Sequence, residues 1–358
     1  MNRRWHIRAY QEGDEHQILQ LRQTVFGDLD PVRARLSTWH WQFRDNPAGK
    51  AFCLLAEDHG VVVGQYTAIP TRFYVRGHET TFAFSCDTMI HPDYRKQGMF
   101  VTLARDLYQY LESHDQITTV LGFPNRASLR GFTGRLGWHV LAEFPLRIAP
   151  IRPLAMLRAF IPWIREQTSA SSLVSSRPAP MPMKTNVPGL LIEPIDEFRD
   201  SFDELWDRHN GLASVMQVRD SRYLNWRYLG VLGFQYHPFA VSWHGTLSGY
   251  IVLRFMNIMG HYFGVLVDLF PFPVVSYELT SSLIRFAREY SKAHRAEFLV
   301  CLLPRASDSF LKKAGLKKIP GVFNPRRWYF GCRRPESLKP LLDPIENWYI
   351  TYGDTDIV

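Results

Sequence analysis

Residues 87–100, Asp87-Thr88-Met89-Ile90-His91-Pro92-Asp93-Tyr94-Arg95-Lys96-Gln97-Gly98-Met99-Phe100, combine the residue types that an anion site needs. Gly98 has no side chain, so a ligand can approach the backbone closely there. A helix starting just after it leaves its first amides without partners and favours negative charge. Arg95 and Lys96 add positive charge beside those amides. A pyrophosphate is the group that suits such a turn best. The elements that must position it are readable on either side. Thr80 to Ile90 is rich in β-branched and aromatic residues, reads as a strand, and is stopped by Pro92. From Phe100 the apolar positions Phe100, Leu103, Ala104, Leu107, Tyr108 and Leu111 recur at helical spacing.

A second pair of elements follows. Thr119-Val120-Leu121-Gly122-Phe123-Pro124-Asn125 reads as a buried strand ending in a polar cap, and Phe132-Thr133-Gly134-Arg135-Leu136-Gly137-Trp138 comes after it. The run from Asp87 to Phe100 resembles motif A of the GCN5-related N-acetyltransferase (GNAT) superfamily, in which Q/R-x-x-G-x-G/A cradles the pyrophosphate of acetyl-CoA. Arg95 and Gly98 match that pattern. Phe100 stands where the last small residue belongs, and its bulk is expected to pack inward or flank the cofactor. Phe132 to Trp138 resembles the end of the superfamily's motif B, F-Y-x-K-x-G-F. The resemblance implies that the two strands splay apart and that the pantetheine arm of acetyl-CoA lies in the gap. It assigns the cofactor site to Thr88, Met89 and Ile90 on the strand, to Arg95, Lys96, Gln97, Gly98, Met99, Phe100 and Val101 around the turn, and to Asn125.

The chemistry implied by the resemblance is direct attack of an amine on the thioester. An aliphatic amine has a pKa of roughly 10, so a base must take its proton at neutral pH. Asp87 is the first candidate; a carboxylate satisfied by backbone amides at a strand bulge is the alternative, and Asp268 in the second half favours it. Glu57 is the second candidate. In the aminoglycoside-modifying relatives the terminal carboxylate serves as base, which brings in Val358, with Asp354 and Asp356 as variants. The developing oxyanion needs amide donors, which the strand at Met89 and Ile90 can supply. The motif B tyrosine that protonates the leaving thiolate aligns with Thr133, far too weak an acid. Tyr94, Tyr108 or a water takes its place, or the thiolate leaves unprotonated. His91 reads as a turn cap and Cys86 as core, on the strand face opposite Asp87.

The rest of the chain organises this site. Its 358 residues suit two domains. His40-Trp41-Gln42-Phe43 is echoed by Asn225-Trp226-Arg227-Tyr228, Cys86-Asp87-Thr88-Met89 by Val267-Asp268-Leu269-Phe270, and Phe123-Pro124-Asn125 by Leu303-Pro304-Arg305. Such repeats imply tandem copies of one fold. The second copy has Pro271 and Pro273 where the Arg-x-x-Gly turn would be, so it offers no phosphate cradle. The expected fold is α/β of the α+β type: two tandem GNAT-like domains, each a mixed, mostly antiparallel sheet flanked by helices. Residues 1–150 form the domain with the acetyl-CoA site, 151–189 a helical segment and Pro/Ser-rich linker, 190–335 the degenerate copy walling the substrate pocket, and 336–358 an aromatic tail docked on the body.

The composition adds exclusions. The four cysteines, Cys53, Cys86, Cys301 and Cys332, show neither metal-site pairing nor a disulfide framework, so no metal is expected and a reducing, cytoplasmic setting is inferred. The N-terminus lacks an apolar signal region. A net charge of +8 with scattered basic residues fits an acidic cofactor better than nucleic acid. Ile151 to Ile164, apolar with interleaved arginines, reads as an interfacial amphipathic helix or as one packed across two domains. The tryptophans at 39, 41 and 226 read as core rather than as sugar-stacking platforms. The expected function is acetyl-CoA-dependent N-acyl transfer to an amine of a small molecule, an amino sugar or a glycan precursor. The alternatives are a CoA-binding protein without catalysis and a Fem-type aminoacyltransferase.

Overall fold

Residues 78–90 alternate between two apolar environments, and that alternation sets the layers of the molecule. Phe82, Phe84 and Cys86 enter a large core shared by both halves of the chain, whereas Ala83 enters a second core under one helix. The computed structural model describes residues 4–27, 31–152, 187–230, 233–258, 260–304, 306–319 and 327–355. Most of the expected linker, including the amphipathic segment after Arg152, lies outside the described residues, as do Arg305, Asp356 and Val358.

The strands are β1 (His6–Ala9), β2 (Phe52–Asp58), β3 (Val61–Val75), β4 (His78–Ile90), β5 (Val120–Gly122), β6 (His139–Phe144), β7 (Arg147–Pro150) and β8 (Leu190–Pro194). They continue as β9 (Val215–Gln217), β10 (Tyr236–Trp243), β11 (Thr246–Ile258), β12 (His261–Phe270), β13 (Phe298–Cys301), β14 (Lys317–Lys318), β15 (Trp328–Arg333) and β16 (Trp348–Tyr349). The helices that matter here are α1 (Glu15–Phe26), α2 (Leu36–Trp39), α3 (Met99–His114), α4 (Arg126–Arg135), α5 (Ser201–His209), α6 (Ser221–Leu224) and α7 (Tyr277–Ala293). One sheet runs β1-β2-β3-β4-β5-β15-β6, with β9 and β16 added beside the far end of β3. The other runs β14-β7-β13-β12-β11-β10-β8. Both are mostly antiparallel, with parallel pairs β4–β5 and β12–β13 at corresponding places. This is the tandem, mixed-sheet architecture expected from the sequence.

The halves exchange strands. β7 pairs with β13 in the second sheet, while β15, from the second half, inserts between β5 and β6 of the first. Cuts at residues 150 and 335 therefore divide the chain but not the sheets: β7 and β15 each complete the sheet of the other half. Sequence periodicity marks a strand without saying which edge it will pair with.

The repeated aromatic segments meet at the junction. Each lies in a π-helical turn, His40–Arg44 after α2 and Asn225–Leu229 after α6. The rings of Trp41 and Trp226 stack with centroids 4.8 Å apart. Each indole N–H donates to the other tryptophan's carbonyl oxygen, at 2.7 and 2.9 Å. They are thus committed to each other at the junction, where both are half-buried, whereas Trp39 is buried in the core.

The C-terminal segment is anchored in the second half. Trp348, Tyr349 and Tyr352 are buried. Arg219, itself buried, pairs with Asp268 at 3.3 Å and with Asp354 at 2.7 Å. Asp268 also accepts from Tyr228, Tyr250 and Thr351. Removing one member of such a network strands a buried charge, at a cost of about 3–5 kcal/mol. Arg219→Ala is expected to lower unfolding free energy by that amount in a urea titration and to loosen the tail to proteolysis.

Two histidines give the fold a pH dependence. Burial holds the imidazoles of His209 and His294 below their ordinary 6.5. The unfolded chain then binds protons that the native chain does not, so stability falls as the pH drops through 6.5 towards 5. A lower urea midpoint at pH 5.5 than at pH 7.5, with the difference reduced in His294→Gln, is the expected result.

Candidate functional site

The site is a fork in the first sheet. β4 and β5 pair only through Ala83↔Val120 and Phe84↔Leu121. Beyond that, β4 continues to Ile90 while β5 ends at Gly122, so the β4 edge from Ser85 onward has no strand neighbour on that side. Gly122 is required where the strands part: a Cβ there would lie 2.9 Å from the Ser85 carbonyl oxygen. Opposite, the β3–β4 register slips, so that Tyr66 faces both Asp87 and Thr88. The slip is a β-bulge, which bends the strand and re-aims its main-chain groups. Asp87 takes a left-handed φ of 46° within it, a strained conformation for a residue with a side chain. The Gln65 carboxamide donates to the Asp87 carbonyl at 3.0 Å and holds the bulge in place.

Two cavities adjoin this edge. The larger, about 570 Å³, fills the fork and is lined by Ser85, Cys86, Asp87, Thr88, Gly122, Phe123, Asn125 and Trp138 among others. The smaller, about 310 Å³, surrounds the start of α3 and is lined by Tyr94, Arg95, Lys96, Gly98, Met99 and Val101, with Arg130 and Arg135 from α4. Ile90, Arg95 and Phe100 line both, so the two form one continuous path. Gly98 caps α3 with φ 80°. Gly64 lets the first turn of α3 sit on β3, since a Cβ there would meet the Met99 sulfur at 2.5 Å. Arg95, Lys96, Arg130 and Arg135 have no ion-pair partner among the described residues. Four positive charges and a helix N-terminus around one cavity make an anion site. Arg130 and Arg135 were missed by sequence reasoning; their clue was a basic helix beginning right after the second strand.

Phe100 is accommodated by a matching glycine. Its ring packs where a Cβ on Gly131 would come within 2.5 Å, and it meets Phe132 edge-on at 5.0 Å. The bulk that departs from the motif is thus turned against α4, flanking the path.

The candidate catalytic groups fall out unevenly. Asp87 lines the fork, but its carboxylate is held by Arg22 at 2.9 Å, with Arg33 at 4.0 Å. Those partners are arginines rather than the backbone amides expected for a structural role. Glu57 is a correction: it sits on β2, two strands from β4, and accepts from the Arg8 guanidinium at 2.6 Å. It lines neither cavity. Thr133 is exposed and turned back onto the Leu129 carbonyl. Tyr108, a proposed acid, is buried beneath the sheet, its hydroxyl bonded to Tyr66 and Trp138. Burial raises its pKa. Tyr94 lines the turn cavity and donates to Asp58, which raises its pKa too. Neither tyrosine stands in the fork. Asn125 caps α4, its side-chain oxygen accepting from the Ala127 and Ser128 amides, and also lines the fork. His91 accepts from the Asp93 amide and Cys86 is buried, as read from the sequence. Gln97 donates to the Asp93 carbonyl, bracing the turn. Among the described residues no group of three or more His, Cys, Asp or Glu could hold a metal ion, and no helix is long and apolar enough to cross a membrane.

The sequence model described as an acetyltransferase (GNAT) domain matches residues 6–141. The first half of the chain contains a GNAT domain. No curated protein matches the chain. Among solved structures, a probable N-acyltransferase of unknown function from Enterococcus faecalis V583 superposes with a TM-score of 0.64 at 10% identity, covering 94% of this chain and 74% of that one. A GCN5-related N-acetyltransferase from Anabaena variabilis gives 0.63 at 12% identity, with 94% and 74% covered. Saccharomyces cerevisiae N-myristoyltransferase with bound myristoyl-CoA gives 0.60 at 13% identity, with 93% and 80% covered. These likenesses run across both halves and establish the fold. The matched residues hold the fork, the bulge and all of the turn cavity's lining; the second half lacks the turn.

Because Phe100 and Gly131 share one volume, Gly131→Ala is expected to destabilise the protein by about 1–3 kcal/mol. Adding Phe100→Leu should recover most of that loss. A double-mutant cycle by chemical denaturation checks the coupling.

Proposed function

We propose that the protein is an N-acyltransferase that uses a CoA thioester, with acetyl-CoA as donor and an amine of a small molecule or glycan precursor as acceptor. The observation that carries this reading is the continuity of the four-cation turn cavity with the β4–β5 fork through Ile90, Arg95 and Phe100. A diphosphate with an extended, weakly polar arm fits that path: the charge meets the α3 amides and arginines, and the arm lies along the unpaired β4 edge. That edge supplies main-chain amides for a carbonyl that gains negative charge, a role that fixed donors serve well. Asp87, oriented by Arg22, faces the fork, and Asp354 faces the cavity between the halves. In this reading a carboxylate takes the amine proton, with Asp87 the candidate on the cofactor side.

Calorimetric titration with acetyl-CoA tests the donor site. Wild-type protein is expected to bind, and Arg95→Ala combined with Gly98→Glu to weaken binding at least tenfold, since the pair removes one positive charge and places a carboxylate in the cradle. Running longer acyl-CoAs alongside identifies the preferred chain. Absence of binding by acetyl-CoA and by every other CoA thioester overturns the reading.

A further inference from the structure

A third cavity, of about 60 Å³, lies between the halves. A water needs roughly 10–15 Å³ of such space, so the cavity admits a group of a few heavy atoms. Its walls come from both halves: Gln42, Thr71 and Phe84 on one side, Gln217, Tyr223 and Asp354 on the other. It borders the fork, because Phe84 precedes the fork residues on β4 and the Gln42 carboxamide contacts the Cys86 sulfur at 3.7 Å.

The charged groups of the lining are engaged, as are most neutral ones such as Asn46, Thr355 and Tyr236, but two neutral groups are not. Arg72 is paired with Glu79 and Asp220. Arg227 donates to the Tyr236 hydroxyl and to the Gly353 and Thr355 carbonyls. Asp354 is held by Arg219, and Arg33 stands near Asp87. By contrast, the Gln217 carboxamide has no hydrogen-bond partner among the described residues, although the residue is 8% exposed. The Tyr223 hydroxyl, on the same wall, has none among the described residues either. Both polar groups open onto the cavity and can hydrogen-bond a group that enters it.

We propose that this cavity binds a neutral, hydrogen-bonding group of the acceptor, an amide or a hydroxyl, through Gln217 and Tyr223. The acceptor is then an amine that carries such a group close by, rather than a carboxylate or a bare alkyl chain. This rests on the acyltransferase reading for the word acceptor, but the cavity's preference stands on its own geometry.

Trp41 and Trp226 line the cavity, so tryptophan fluorescence reports on it. The probes are glycinamide and ethanolamine, set against glycine and propylamine. The first two are expected to bind at least tenfold more tightly. Gln217→Leu should erase that preference, and Tyr223→Phe should reduce it if the leucine variant does not fold. Equal binding of all four probes, tighter binding of glycine or propylamine, or a preference unchanged in the folded variants overturns the proposal. Acetyl-CoA titrated into the same samples separates the two readings. Loss of CoA binding with the amide preference intact sinks the acyltransferase assignment alone, whereas CoA binding without the preference sinks this one alone.

Discussion

The structure depends on the exchange of β7 and β15. Each sheet is completed by a strand that the other half supplies, so the first sheet reaches from β5 to β6 only through β15. Pulling the halves apart would break main-chain ladders on both sides, and buried backbone groups tolerate that poorly. The exchange therefore fixes the relative placement of the halves. The stacked, reciprocally bonded Trp41 and Trp226 and the pairing of β9 with β3 add to it. The small cavity between the halves exists because this placement is held.

Within that frame, the two halves use one plan to opposite ends. In the first, β5 stops early and leaves the β4 edge open beside a basic, glycine-capped helix start. In the second, β13 follows β12 over four residue pairs, and the position matching Asp87 is Asp268, buried under Arg219, two tyrosines and Thr351. The C-terminal segment helps seal it. A charge in the first half that faces a cavity corresponds in the second to one neutralised inside a network, which converts a possible site into an anchor.

The motif turn, the strand before it and the helix after it were legible because each depends on local chemistry. Gly98 sits at the left-handed cap, and the apolar stripe from Leu103 to Leu111 is the buried face of α3. The fork was reached only through the resemblance to a family. Nothing in Val120-Leu121-Gly122 reveals where β5 stops following β4. Glu57 misled for a related reason: its type suited a base, but strand order put β2 beside β1, where Arg8 claims it.

By itself the sequence determined the tandem repeat, the basic glycine turn and the loss of that turn from the second copy, since those follow from residue type and short spacing. The tertiary structure decided the strand exchange, the partners of Asp87, the accommodation of Phe100 by Gly131, and the cavity holding Gln217 and Tyr223. Those depend on which strand edges and helix faces meet. Residues 42 and 217, or 100 and 131, are neighbours only once long-range pairing is complete, and no local pattern encodes that pairing.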